Sequence, residues 1–158
     1  MSTHTATIRW ERTDEGFLQG KYSREHTWTF DGGVTVPASP SPSVVPAPYS
    51  NPAHVDPEEA FVAAVASCHM LTFLHIASQK GFQVDGYDDE AAGVMTKNEK
   101  GTPWMSSVTL NPRIAYGGPT CPDPEKEEEL HHLAHEQCFI ANSIKTHVTI
   151  GKAPPCPK

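Results

Sequence analysis

Alternating hydrophobic and polar positions predict strands at both ends of the chain. Residues 6–11 alternate in this way, and a second alternating run covers residues 21–30. Period-two alternation is typical of a half-buried strand. Turn-forming residues at 14–16 favour a hairpin between the two runs. A last alternating run predicts a strand over residues 144–150.

Two further strand regions are predicted in the middle of the sequence. The first covers residues 82–97 and is followed by a turn at 98–101, and the second covers residues 108–116. Pro112 interrupts the second region. Because proline has no amide hydrogen to donate to a neighbouring strand, this position favours a sheet edge or a bulge.

A long apolar segment between these regions predicts a central helix. Asp56 is a suitable N-cap, Pro57 suits the first helical position, and Glu59 completes a capping box. Gly81 suits the C-terminal cap. The apolar residues are spread around the helix axis rather than along one stripe, which predicts a helix buried on nearly all sides.

The order of the predicted elements favours an α+β fold. A second helix is predicted over residues 124–141, with Asp123 as its N-cap, before the last strand. Strands, a long helix, strands, a helix and a strand indicate mainly antiparallel sheets around the long buried helix. A length of 158 residues suits a single domain, residues 1–158. A homodimer would help to cover so apolar a helix.

A proline-rich segment precedes the central helix. Seven of the 15 prolines lie within residues 37–57, where they restrict the backbone to extended conformations. A single domain needs no linker at this position. The segment is therefore interpreted as an ordered surface loop and a candidate for lining a site. A short proline-rich tail covers residues 151–158.

Composition narrows the functional class. The net charge is −7, and the lysines and arginines are scattered, which argues against nucleic-acid binding. Residues 60–79 carry no charged side chain, but their polar residues favour a core helix over a membrane span. No signal-peptide pattern is present, so a soluble cytoplasmic protein with reduced cysteines is expected. Cys121 and Cys156 lie in predicted loops and are expected to have no role and no mutual disulfide.

Two cysteines are the main candidates for chemistry. Cys68 and Cys138 each fall within a predicted helix, and a buried thiol is most often inert packing. A reactive buried cysteine needs a cation or a hydrogen-bond donor, because apolar surroundings disfavour the thiolate. Two thiols that meet offer another role. One thiolate can attack a peroxide O–O bond, become a sulfenic acid and condense with the second thiol.

Three residues are candidates for acting on Cys68. Arg24 shares a face of the second alternating run with aromatic residues, although a long arginine stem can also leave its head group in water. His69 is adjacent to Cys68. Glu58 lies in the first turn of the helix, where the macrodipole alone would explain an acid. Its alternative role is to orient an arginine that holds the thiolate.

The histidines of the second helix offer an alternative function. His131, His135 and Cys138 follow i, i+4, i+7 spacing, and such a set can bind zinc. A solvated amphipathic helix explains the same histidines, so no metal or other cofactor is assigned. The alternative function is a non-catalytic protein that binds a metal or an apolar ligand on the same fold.

The residues around both cysteines resemble the OsmC/Ohr family, the osmotically inducible and organic hydroperoxide resistance proteins. Pro57-Glu58 is followed by an alanine-rich stretch and by Cys68, ten positions after Glu58, and Cys138 lies near the end of the last long helix. The order of elements agrees over nearly the whole length. The resemblance implies an intertwined α+β homodimer with active sites at the subunit interface. It also implies a thiol peroxidase that reduces organic hydroperoxides with a dithiol reductant such as a lipoyl protein.

The resemblance also implies a role for each site residue. Cys68 would be the peroxidatic nucleophile, Cys138 the resolving cysteine, and Glu58 the residue that positions an arginine. Residues 16–20 resemble the place where the Ohr branch keeps its arginine but contain none, so Arg24 is assigned instead. The proline-rich segment and the histidine after Cys68 depart from the family pattern, and His69 is the alternative activator.

Overall fold

The computed structural model describes residues 1–151, and the tail, with Cys156, lies outside the described residues. The chain separates into two compact units, Met1–Ala60 and a second that begins at Phe61. Each unit is described by itself. The assignment of one domain to residues 1–158 stays a prediction.

The first unit contains a three-stranded antiparallel sheet. Its strands are β1 (Ala6–Arg9), β2 (His26–Phe30) and β3 (Thr35–Ala38), in the order β1-β2-β3. The predicted pairing of the first two strands is confirmed. The strand predicted over residues 21–30 starts only at His26, and a short 3-10 helix, Phe17–Gln19, lies between β1 and β2. The third strand was not predicted, because Pro37 obscures the alternation around it.

The proline-rich segment begins within β3 and continues as a loop that several hydrogen bonds hold in place. Its two ends are joined by a hydrogen bond from the Ser39 amide to the Val55 carbonyl (3.0 Å), and the Ser39 hydroxyl accepts from the Asn51 amide (2.8 Å). The Tyr49 carbonyl accepts a hydrogen bond from the Arg24 amide (3.1 Å). Whether the loop lines a site stays a prediction.

Helix α1 (Pro57–Gln79) begins at the predicted capping box. The Glu59 amide donates to Asp56 Oδ1 (2.7 Å), and the Asp56 amide donates to Glu59 Oε2 (3.2 Å). These bonds satisfy amides that have no partner within a helix. At the other end, Gly81 adopts a φ of 81°, a left-handed conformation that glycine tolerates without strain.

The second unit packs α1 and α2 (Pro124–Gln137) with two sheets. One sheet pairs β4 (Gln83–Asp89) with β7 (Pro112–Gly117), and the other has the order β5-β6-β8. Its strands are β5 (Ala92–Lys97), β6 (Pro103–Leu110) and β8 (His147–Ile150), of which β6 and β8 run parallel. Each of the two predicted middle strands is therefore two strands. Pro112 begins β7 rather than interrupting a strand.

The burial of α1 differs from the expectation in one respect. A single stripe of its residues beyond Ala60 is buried, and this stripe packs on α2 and the sheets: Val65, His69, Phe73, Ile76 and Ala77. Leu71, outside the stripe, is 61% exposed. The prediction of burial on nearly all sides is thus wrong for the single chain. α1 is also long and apolar enough to cross a membrane, a property that core helices of soluble proteins share.

Candidate active site

Cys68 lies near the middle of α1, beside the buried stripe. Its side chain is half-buried, so the sulfur is neither sealed in the core nor fully in water. The backbone carbonyl of Cys68 accepts a hydrogen bond from the Thr72 hydroxyl (2.9 Å). Thr72 therefore contacts the backbone of Cys68, one helical turn away, through this bond.

Cys138 lies just beyond α2, and the prediction that this helix runs to residue 141 is wrong. The helix ends at Gln137, and Cys138 is its C-cap in an extended conformation. Asn142 explains the ending: its side-chain amide donates to the carbonyls of Glu136 (2.8 Å) and Cys138 (2.9 Å). The Cys138 carbonyl also accepts a hydrogen bond from the Asn142 backbone amide (3.1 Å), so Asn142 satisfies carbonyls at the helix end through both its side chain and its backbone. A short 3-10 helix, Ala141–Ser143, follows.

The two cysteines meet in the fold. The side chain of Cys138 lies close enough to that of Cys68 for the two thiols to interact. Burial and the neighbouring Cys68 side chain raise the pKa of the Cys138 thiol to about 11, although the backbone N–H groups of Ala141 and Ile140 oppose the rise. Cys138 is therefore protonated at neutral pH and is available as an S–H donor to the sulfur of Cys68.

The remaining cysteines are not part of this pair. Cys68 and Cys138 are the free cysteines of the described chain. Cys121 is disulfide-bonded. The expectation for Cys156 falls outside the described residues.

His69 is not placed to supply the cation that the Cys68 thiolate needs. Its Nε2 lies 3.0 Å from Nδ1 of His131, and both imidazoles are buried. Burial lowers the pKa of each to about 4, and for His69 the nearby His131 and His135 add to the effect. A ring that is neutral at pH 7 cannot supply the cation that a thiolate needs. Sequence reasoning missed this pair, because its members are 62 positions apart.

Arg24 and Glu58 both belong to the first unit and are not ion-paired with each other in the described residues. The guanidinium of Arg24 donates to the carbonyls of Tyr22 (3.0 Å) and Gly20 (3.4 Å), and its carbon lies 4.0 Å from the centre of the Tyr22 ring. The Arg24 side chain thus lies with the aromatic Tyr22, as the alternation predicted. Glu58 is half-buried in the first turn of α1.

The candidate metal ligands are not gathered into a site. Within residues 1–151, no group of three or more His, Cys, Asp or Glu side chains is positioned to hold a metal ion. His131 is paired with His69, and Cys138 with Cys68. The i, i+4, i+7 spacing therefore reflects the buried side of α2 rather than a set of ligands.

A comparison with family models decides the family. Residues 50–151 match the model described as OsmC-like protein. The chain belongs to the OsmC-like family. The matched region contains both cysteines, Glu58 and most of the second unit of this OsmC-like protein.

Solved structures agree with the family. An OsmC-like protein of unknown function from Vibrio cholerae is 49% identical, with a TM-score of 0.93 over 98% of this chain and 100% of that one. An organic hydroperoxide resistance protein from Legionella pneumophila is 16% identical, with a TM-score of 0.70 over 97% and 96% of the two chains. One from Bacillus subtilis is 22% identical, with a TM-score of 0.66 over 97% and 98%. The last two support the fold, and no curated protein matches.

Proposed function

We propose that this OsmC-like protein is a thiol-dependent peroxidase that reduces organic hydroperoxides through Cys68 and Cys138. The proposal is carried by the proximity of these two side chains in the fold. A peroxidatic thiol needs a second thiol within reach to form a disulfide before further oxidation occurs. The family and its structural neighbours named organic hydroperoxide resistance proteins support the same chemistry.

Cys68 is the proposed peroxidatic residue because it is half-buried, whereas Cys138 is 1% exposed. The Cys68 thiolate attacks the O–O bond, an S–O bond forms, and the alkoxide takes up a proton and leaves as an alcohol. The Cys138 sulfur then attacks the sulfenic acid. An S–S bond forms, the S–O bond breaks, and hydroxide leaves with the thiol proton as water. An external dithiol, such as a lipoyl protein, reduces the disulfide by exchange.

Arg24 is the proposed cation for the Cys68 thiolate, and Glu58 is the residue proposed to orient it. Both assignments come from the family resemblance. The two described side-chain hydrogen bonds of Arg24 leave three of its five N–H donors for a carboxylate or a thiolate.

A homodimer in the cytoplasm is proposed as the working form. The exposed side chain of Leu71 supports the dimer, because an apolar helix such as α1 is rarely left uncovered. Phe139, next to Cys138, is 82% exposed and supports the same proposal. Light scattering on the purified protein gives the oligomeric state, and a monomer at all concentrations would contradict it.

Steady-state turnover of cumene hydroperoxide with dihydrolipoamide tests the proposed function. Cys68→Ser is expected to abolish turnover, since a hydroxyl does not replace a thiolate as nucleophile. Unchanged turnover in the Cys68→Ser variant would contradict the proposal. The alternative, a non-catalytic protein that binds a metal or an apolar ligand, is favoured by stoichiometric zinc in the purified protein together with no sulfenic acid at Cys68 after peroxide. Metal analysis and a sulfenic-acid probe separate these cases.

A further inference from the structure

The pair formed by His69 and His131 has no role in the chemistry described above. The two rings lie nearly parallel, at 11°, and Phe73 stacks on His131 with a centroid distance of 4.5 Å. His69 is 1% exposed and His131 5% exposed. Both are therefore core residues, placed where the same helices carry apolar side chains such as Leu130 and Ala134.

Stability alone is a poor explanation for two imidazoles in this position. Nδ1 of His69 and Nε2 of His131 are buried without a hydrogen-bond partner among the described residues. An unpartnered buried polar group is costly, and apolar residues of similar volume are often as stable as a buried polar pair or more so. The single bond that the rings share must therefore provide something that an apolar contact would not.

The location of the two histidines indicates what the hydrogen bond between them provides. His69 directly follows Cys68 on α1, and His131 precedes Cys138 by seven positions, or about two turns of α2. The two helices are thus joined by two specific side-chain contacts, one between imidazoles and one between thiols. A hydrogen bond is directional, so it limits sliding and rotation of the helices more than an apolar contact does.

Building on the proposed function, we propose that His69 and His131 are positioning residues for disulfide formation. Their hydrogen bond holds α1 against α2, so that the Cys138 sulfur stays beside Cys68 after an organic hydroperoxide has oxidised it. In the step they favour, the S–S bond forms, the S–O bond of the sulfenic acid breaks, and the Cys138 proton leaves with hydroxide as water. Neither imidazole is assigned contact with the reacting atoms.

The effective concentration of the two thiols tests this role without any peroxide. It is obtained by equilibrating the protein in glutathione redox buffers and trapping free thiols. His131→Phe keeps a ring against Phe73 but removes the hydrogen bond, and the effective concentration is expected to fall about tenfold, because reacting groups are sensitive to small displacements. His131→Asn places an amide near the former Nδ1 and is expected to stay within about threefold of wild type.

A matched control removes a third, exposed side-chain contact, between α2 and the residue that follows α1. Lys80 Nζ donates to Glu129 Oε1 (3.2 Å) just beyond the C-terminal end of α1. Lys80→Met is expected to leave the effective concentration within about threefold, since exposed ion pairs contribute little. His131→Phe leaves Nε2 of His69 buried without a partner and is expected to melt at a lower temperature than wild type. The effective concentration is therefore measured well below the melting temperature of the variant, where a loss of disulfide formation would not reflect unfolding.

The outcomes separate the two proposals. A wild-type protein that forms the disulfide in glutathione but does not react with cumene hydroperoxide refutes the proposed function and leaves the positioning role supported by the His131→Phe result. Equal effective concentrations in wild type and His131→Phe overturn the positioning role, as does the absence of a Cys68–Cys138 disulfide in wild type. Should His131→Phe not fold, His69→Leu and His69→Gln provide the same comparison, because glutamine can replace Nε2.

Discussion

The thiol of Cys138 lies beside the side chain of Cys68, although 138 − 68 = 70 positions separate the two residues. The sulfur of Cys138 also accepts a hydrogen bond from the Ala141 amide (3.4 Å). It is thus held between its partner thiol and the backbone beyond α2. Burial keeps it protonated, so before oxidation its role toward Cys68 is that of a donor.

Cys138→Ser and Cys138→Ala are therefore expected to differ in the first turnover. Serine keeps a hydroxyl donor toward Cys68, and its rate of attack on hydroperoxide should stay near wild type. Alanine removes the donor and should slow the attack about tenfold, the effect of roughly 1.4 kcal/mol expected for a hydrogen bond to a charged group. Stopped-flow kinetics measure this rate. Equal rates in the two variants would show that the donor has no effect on the thiolate.

Both variants should also accumulate sulfinic acid at Cys68 under excess hydroperoxide. Without a resolving thiol, the sulfenic acid persists and is oxidised further. Intact-protein mass spectrometry detects the added oxygens. Rapid over-oxidation in wild type as well would indicate that Cys138 does not protect Cys68.

The buried His69 and His131 are expected to make folding stability depend on pH in the acid range. Their folded pKa values of about 4 lie below the unfolded value of 6.5, so the unfolded chain binds more protons between these limits. Their contribution to the free energy of unfolding is fully present above about pH 6.5 and is lost as the pH falls toward 4. Each such histidine contributes a slope of up to about 1.4 kcal/mol per pH unit.

His131→Phe should reduce that slope to about the contribution of one histidine. His69 stays buried in this variant, with His135 still near it, so one proton is still taken up on unfolding. Urea denaturation at several pH values between 4 and 7 measures the slope. His75→Gln is a suitable control, because His75 is exposed on α1. An identical pH dependence in wild type and His131→Phe would contradict the burial of a neutral pair.

Glu127→Gln is expected to stabilise the protein at neutral pH. Glu127 is buried on α2 and accepts a hydrogen bond from the Tyr116 hydroxyl (3.0 Å), and burial raises its pKa. A raised carboxyl pKa means that ionisation costs more in the folded state, so stability falls as the pH rises above the unfolded value. Glutamine keeps an acceptor without the charge. The melting temperature of Glu127→Gln should exceed that of wild type at pH 7, and the difference should shrink toward pH 4. A melting temperature below that of wild type at pH 7 would contradict the prediction.

Glu58→Gln separates the two roles considered for Glu58. If it orients Arg24, as proposed, the rate of attack by Cys68 should fall about tenfold or more, as for loss of a positioning residue. Loss of the interaction between the Glu58 carboxylate and the helix macrodipole should lower the free energy of unfolding by only about 0.3–1 kcal/mol. Glu59→Gln is the matched control, since glutamine preserves the capping box. The same rate in both variants would leave Glu58 with the macrodipole role alone.

The sequence was most informative where one local signal determines the structure. The capping box at Asp56 and Glu59 and the glycine at position 81 predicted both ends of α1. The end of α2 was missed, because the cap there is the side chain of Asn142, which bonds back to Glu136 and Cys138 from beyond the helix. The pattern of residues within α2 does not predict a cap formed by a side chain that lies beyond the helix.

The candidate site was harder to predict, because it depends on contacts between distant residues. On the residues alone, inert packing was favoured over a redox pair for Cys68 and Cys138. Only the packing of α1 on α2 brings the two cysteines together. The histidine pair shows the same limit. His131 was read as solvated or as a ligand, although Glu127, Leu130, His131 and Ala134 follow the spacing of one buried stripe.

The 70 positions that separate Cys68 from Cys138 have a consequence for synthesis. Cys68 leaves the ribosome 70 residues earlier, which at ordinary elongation rates is an interval of roughly 4 to 14 seconds. During that time α1 has neither α2 nor the parallel strand β8 to pack against. A nascent chain that meets hydroperoxide in this interval therefore carries the proposed peroxidatic thiol without the proposed resolving thiol.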